Sequence, residues 1–169
     1  MKKIISLLVI SMMACALVAC GGKNESQEPG ETVLEQLPVD ASPALKVSLD
    51  FQGKAASGDY KTAQELADAM METGYLEFEP ASMAVEPGYL NGFTEEITGF
   101  SEGVMFGPAI GSIPFVAYVF VTDDADSLAD TLAHCYDLRW NVCTQADEFQ
   151  CAIVKDKGCV VMAPDTFEE

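Results

Sequence analysis

Hydrophobic and polar positions alternate along this chain in periods that assign most of its elements. Thr62-Ala63-Gln64-Glu65 has the arrangement of a capping box, and Ala63, Leu66, Ala67 and Met70 follow at helical spacing as far as Gly74. This predicts a helix over 62–73 with a left-handed glycine stop. Asp123 and Asp124 are placed to cap a second helix over 124–138, ending near Arg139, with Asp126 in its first turn. Its apolar stripe is Ala125, Leu128, Ala129, Leu132, Cys135 and Tyr136. Residues 149–155 and 159–163 are short β-rich runs on either side of Asp156-Lys157-Gly158, a closing hairpin.

Residues 103–122 carry no charge, and Gly99, Gly103, Gly107 and Gly111 recur at every fourth position, a spacing that also suits packed membrane helices. Pro108 and Pro114 would each cost about 3 kcal/mol inside a helix, and the run 113–121 is β-branched and aromatic. Two strands are therefore expected, 97–106 and 113–121, the second central in the sheet because it lacks polar alternation. Residues 75–93 contain Pro80, Pro87, Gly88 and Gly92 and read as a packed loop with a short strand at 75–79. Residues 44–51 fit either a first strand or the end of a tether. The fold expected is a single α+β domain over 44–169. It has an antiparallel sheet of four or more strands, covered mainly on one face by the helices at 62–73 and 124–138.

Ahead of that domain, Met1-Lys2-Lys3 precede an apolar run, 4–18, broken by Ser6 and Ser11 and too short for a comfortable membrane span. The run closes on Leu17-Val18-Ala19-Cys20, followed by Gly21-Gly22. This resembles the lipobox of bacterial lipoproteins. The resemblance implies removal of residues 1–19 and a diacylglyceryl group on the thiol of Cys20, two acyl chains being enough for stable anchoring. Residues 20–43 are rich in Gly, Ser, Glu, Gln and Pro and form an acidic tether, reaching about 25 Å for a random coil of that length. The expected location is the extracytoplasmic face of a cell membrane.

Charge sharpens this picture. The chain of 169 residues carries 27 acidic and 9 basic side chains, a formal charge of -18, with 49 % hydrophobic residues. Such a chain can bury a core, and its acidity argues against nucleic acid as a partner. Loss of residues 1–19 would remove Lys2 and Lys3 and no acid, leaving the body more acidic still.

Candidate chemistry is sparse. Asp123, Asp124, Asp126 and Asp130 suggest a calcium loop, but counting from Asp124 the positions that require glycine and glutamate are Ala129 and Cys135, so helix capping is the better reading. His134 is the sole histidine, and neighbours on a helix point about 100° apart, so it and Cys135 do not form a base and nucleophile. No Gly-x-Ser-x-Gly elbow or phosphate-binding glycine loop is present. No catalytic residue, metal ligand or cofactor is expected.

Cys135, Cys143, Cys151 and Cys159 recur at intervals of eight. They are candidate disulfide cysteines outside the cytoplasm, or buried free thiols in a reducing niche. A loop at 156–158 would set Cys151 about 13 Å along the strand from the residue opposite Cys159, too far for a bridge. Two pairings then remain: Cys135–Cys151 with Cys143–Cys159, and Cys135–Cys159 with Cys143–Cys151. Tyr75, Tyr89 and Phe93, in the glycine- and proline-rich loop, are the candidate binding surface.

Arg139-Trp140-Asn141-Val142-Cys143, the strand Ile113-Pro114-Phe115-Val116-Ala117-Tyr118-Val119 and the closing Gly158-Cys159-Val160-Val161-Met162 together resemble a group of small, uncharacterised bacterial lipoproteins. The resemblance spans about 95–163 and implies a sheet, helix and hairpin without assigning site residues. The function expected is a lipid-anchored, non-catalytic binding or interaction module for a protein or small-molecule ligand. The alternative is an envelope enzyme, or an accessory subunit of a transport or cell-wall enzyme, working through acidic residues.

Overall fold

The computed structural model describes residues 41–110, 113–141 and 143–167. The signal segment, Cys20 and nearly all of the tether lie outside them.

Helix α1, Pro43–Ser57, occupies the segment expected to be strand or tether. Ser42 Oγ accepts from the Leu45 N–H at 3.2 Å, Pro43 takes the first helical turn and Gly58, at φ 79°, ends the helix. Ala44, Val47, Phe51 and Ala55 form its buried stripe. Helix α2, Ala63–Met71, has both halves of the Thr62–Glu65 capping box. It stops without Gly74, for which no left-handed φ is needed. Glu72 stays right-handed and donates to Asp68 O, while Thr73 Oγ1 donates to Met70 O at 2.7 Å.

The strands are β1 Pro80–Ala84, β2 Gly88–Tyr89, β3 Glu96–Ile97, β4 Glu102–Pro108, β5 Val116–Val121, β6 Glu148–Val154 and β7 Lys157–Ala163, with helix α3, Ala125–His134, between β5 and β6. Five form an antiparallel sheet in the order β1-β4-β5-β7-β6, and β2 pairs with β3 separately. The architecture is α+β, with β5 central. The charge-free run is thus β4 and β5, and no described helix is long and apolar enough to cross a membrane. The expected strand at 75–79 lies instead at 80–84. There Pro80 sits on an edge where its missing N–H costs no ladder bond.

Two helices do share a face, but they are α1 and α2. Ala117, Val119, Cys159 and Val161 pack under them. Helix α3 lies on the other face, where Leu128 and Leu132 meet Tyr118, Phe120, Val160 and Met162. The alternation of β5 and β7 therefore separates two apolar cores rather than a core from solvent, which is why neither strand shows a polar period. Helix α3 ends at His134, earlier than expected, because the Cys135 carbonyl is captured by the Thr94 N–H at 2.7 Å and Tyr136 bridges to Phe93.

The closing hairpin turns on Lys155 and Asp156 rather than 156–158, with Lys155 at φ 57°. Its register sets Cys159 against Ala152 and Cys151 against Val160. Cys151 and Cys159 are thus kept apart by facing opposite sides of the sheet, not by distance along a strand.

Candidate functional site

Edge strand β1 builds the site. The Val85 N–H bonds Gly103 O at 2.9 Å and the Ala109 N–H bonds Glu79 O at 2.8 Å. In an antiparallel ladder such pairs alternate, so 79, 81, 83 and 85 turn their backbone groups to β4, whereas Ser82 and Ala84 turn theirs outward. Among the described residues nothing pairs with that outward edge. Side chains alternate in the perpendicular sense. Ser82 accepts from Gln64 Nε2 of α2 at 3.0 Å, while Met83 sits beside Met105 on the α3 face and is 57 % exposed.

A cleft of about 290 Å³ opens there, between the β1–β4 margin and the loop carrying Trp140. Met83, Met105, Val116 and Trp140 give it an apolar wall, and Ser82 and Asn91 are the polar residues of its lining. Local bonds hold this wall. The Trp140 N–H reaches Asp137 O at 3.3 Å, and the buried Tyr118 hydroxyl donates to Asn91 O at 2.8 Å. Gly92 has φ 89°, and a Cβ there would stand 2.4 Å from Met162 Cε, so the turn that presents Asn91 requires glycine.

At the other end of β1 a second cleft, of about 250 Å³, is lined by Ala84, Val85 and Phe100 together with Gln64, Glu86 and Glu102. One Glu102 oxygen, Oε2, accepts from the Ala63 N–H at the start of α2 at 2.9 Å. Glu86 is exposed. The strand therefore runs from an apolar cleft to an acidic one.

The sequence-predicted residues scatter. Tyr75 is mostly buried on the α1 face and donates to Asp50 Oδ2 at 2.7 Å; Phe93 is buried on the α3 face against Tyr118; Tyr89 is exposed on β2. They share no surface. Asp50 also binds Lys54, so the buried carboxylate is satisfied on both oxygens. Burial, with the Asp50 charge beside it, pushes the Tyr75 phenol far above the usual tyrosine range.

Cys135, Cys143, Cys151 and Cys159 are free thiols. Burial raises Cys135, Cys151 (to about 11) and most of all Cys159, which disfavours reactive thiolates at all three. Asp124 Oδ1 accepts from the Ser127 N–H at 3.1 Å and caps α3, and His134 lies exposed over Asp130. Met83, Met105 and the cleft role of Trp140 were not singled out from sequence. The available signal was Pro80 ahead of an alternating small-and-large run. Neither a family model, nor a curated protein, nor a solved structure matches this chain.

Proposed function

We propose that the protein is a lipid-anchored, extracytoplasmic and non-catalytic binding module. The lipobox-like Leu17-Val18-Ala19-Cys20 supports the anchor and its membrane face. The observation that carries the binding function is the cleft beside β1, whose wall is apolar and aromatic with Ser82 and Asn91 as the neutral polar residues of its lining. Such a lining suits recognition by burial of apolar surface, with a few polar groups fixing orientation. Among the described residues that line it there is no carboxylate, histidine, cysteine or basic side chain.

Two measurements test the proposal. Native mass spectrometry of the chain purified from its host without reductant should find a bound molecule or partner that Met83→Asp abolishes. Fractionation should find the chain in membranes and Cys20→Ala released from them. Retention of the adduct in M83D would discard the cleft, and unchanged membrane attachment of C20A would discard the anchor.

A further inference from the structure

We propose that β1 receives an extended peptide as a sixth strand, one that carries a bulky apolar side chain for the first cleft and a lysine or arginine for the second. This rests on the binding reading above and names the class of ligand and its mode of attachment.

Three independent features converge on this strand. Its outer edge offers the N–H and C=O groups of Ser82 and Ala84, for which no described residue provides a partner. Main-chain bonds of that kind supply affinity in strand addition, while pockets for alternate side chains supply specificity. A five-residue strand is about 17 Å long, and the two clefts lie at its two ends, so an extended segment of comparable length reaches both. The chemistry of the clefts differs. The first is walled by Met83, Met105, Val116 and Trp140. The second presents Glu86 and Glu102, and no described lining residue of either cleft is basic.

Charge chooses the occupant. The chain carries a formal charge of -18, and Glu79 and Glu86 bracket β1, both exposed. A second copy of so acidic a chain would bring like charges together at this edge, whereas a basic peptide is attracted to it. Exposed edges are normally blunted by charge, proline, a bulge or a covering element. Here Pro80 withholds one outward N–H at the start of the strand, and the uncharged Ser82 and Ala84 leave the rest of the edge open.

The test uses the full-length chain in mild detergent and two capped probe peptides, Leu-Thr-Val-Thr-Val-Lys and the reversed sequence, one for each strand direction. Their end residues fall on opposite faces because Met83 stands on the α3 face and Glu102, bonded to Ala63 of α2, on the other. One of the two peptides should bind and slow amide exchange at Ser82 and Ala84 by about tenfold or more, the weight of a net hydrogen bond. Replacing its lysine by glutamate, or N-methylating alternate amides, should weaken binding by about tenfold each. Ala84→Pro removes an outward N–H that the sheet does not use, so it should fold normally and lose the peptide.

Unchanged exchange at both amides, equal binding by A84P, or self-association through β1 in place of peptide binding would each overturn the proposal. If neither peptide binds while a host-derived adduct sensitive to Met83→Asp persists, strand addition falls and the cleft reading stands. If both are missing, both fall.

Discussion

Tyr75 donates its hydroxyl to Asp50 across a 2.7 Å contact, joining the segment after α2 to the buried face of α1. Asp50 is 4 % exposed and its other oxygen is held by Lys54 one helical turn on, so each of its oxygens has a partner. Removing one partner strands part of a buried charge. Tyr75→Phe should therefore cost about 1.5–3 kcal/mol, the range for a hydrogen bond to a charged group, as read by urea unfolding. A loss below ~0.5 kcal/mol would show that solvent already serves Asp50.

Alkaline pH should destabilise the fold. Burial raises the phenols of both Tyr75 and Tyr118 well above the ordinary value, so the folded chain keeps protons that the unfolded chain releases. Their stabilisation is complete below the unfolded value of about 10 and is lost as pH rises beyond it. Denaturation midpoints should begin to fall above about pH 9, where the buried thiols of Cys135, Cys151 and Cys159 act with the same sign. The fall should steepen from about pH 10, with a smaller slope there in the Tyr75→Phe, Tyr118→Phe double variant. Equal slopes in the two proteins would assign the loss to other groups.

Thiol labelling should rank the four cysteines of the domain. Cys143 is exposed, whereas Cys159 is 1 % exposed beneath α1 and α2 and Cys151 is pushed up to about 11. Brief treatment with a maleimide at neutral pH, followed by peptide mapping, should modify Cys143 first and Cys159 only after unfolding. Rapid labelling of Cys159 in the native chain would contradict its packing.

Two glycines should respond oppositely to alanine. A Cβ on Gly103 would stand 2.7 Å from the Phe100 ring and 2.8 Å from Val85, so Gly103→Ala should destabilise by about 1–3 kcal/mol through overpacking. Gly53 lies inside α1 with open space around it, and Gly53→Ala should stabilise by about 0.5–1 kcal/mol. Thermal melts of the two variants read both signs: a stable Gly103→Ala would refute the packing around Gly103, and a destabilised Gly53→Ala the open space at Gly53.

What the sequence determined was local and periodic. Thr62 and Glu65 announce α2, Asp124 announces α3, and the uninterrupted apolar run of β5 announces a strand covered on both sides, because caps and side-chain periods depend on neighbours a few residues away. Helix α1 was equally legible in Ser42-Pro43 and the 44, 47, 51, 55 spacing; Val47 and Phe51 in a short window suit a strand as well, and the whole stripe is needed to tell them apart. Tertiary structure alone decided the rest. Which face each helix covers, where α3 lets go at Cys135, and which of Tyr75, Tyr89 and Phe93 stay accessible depend on partners distant in sequence. The cleft belongs to the same class: Met83, Met105 and Trp140 meet only after β1 pairs with β4 and the chain beyond α3 folds back over that margin. A period records which side a residue faces, and not what stands opposite it.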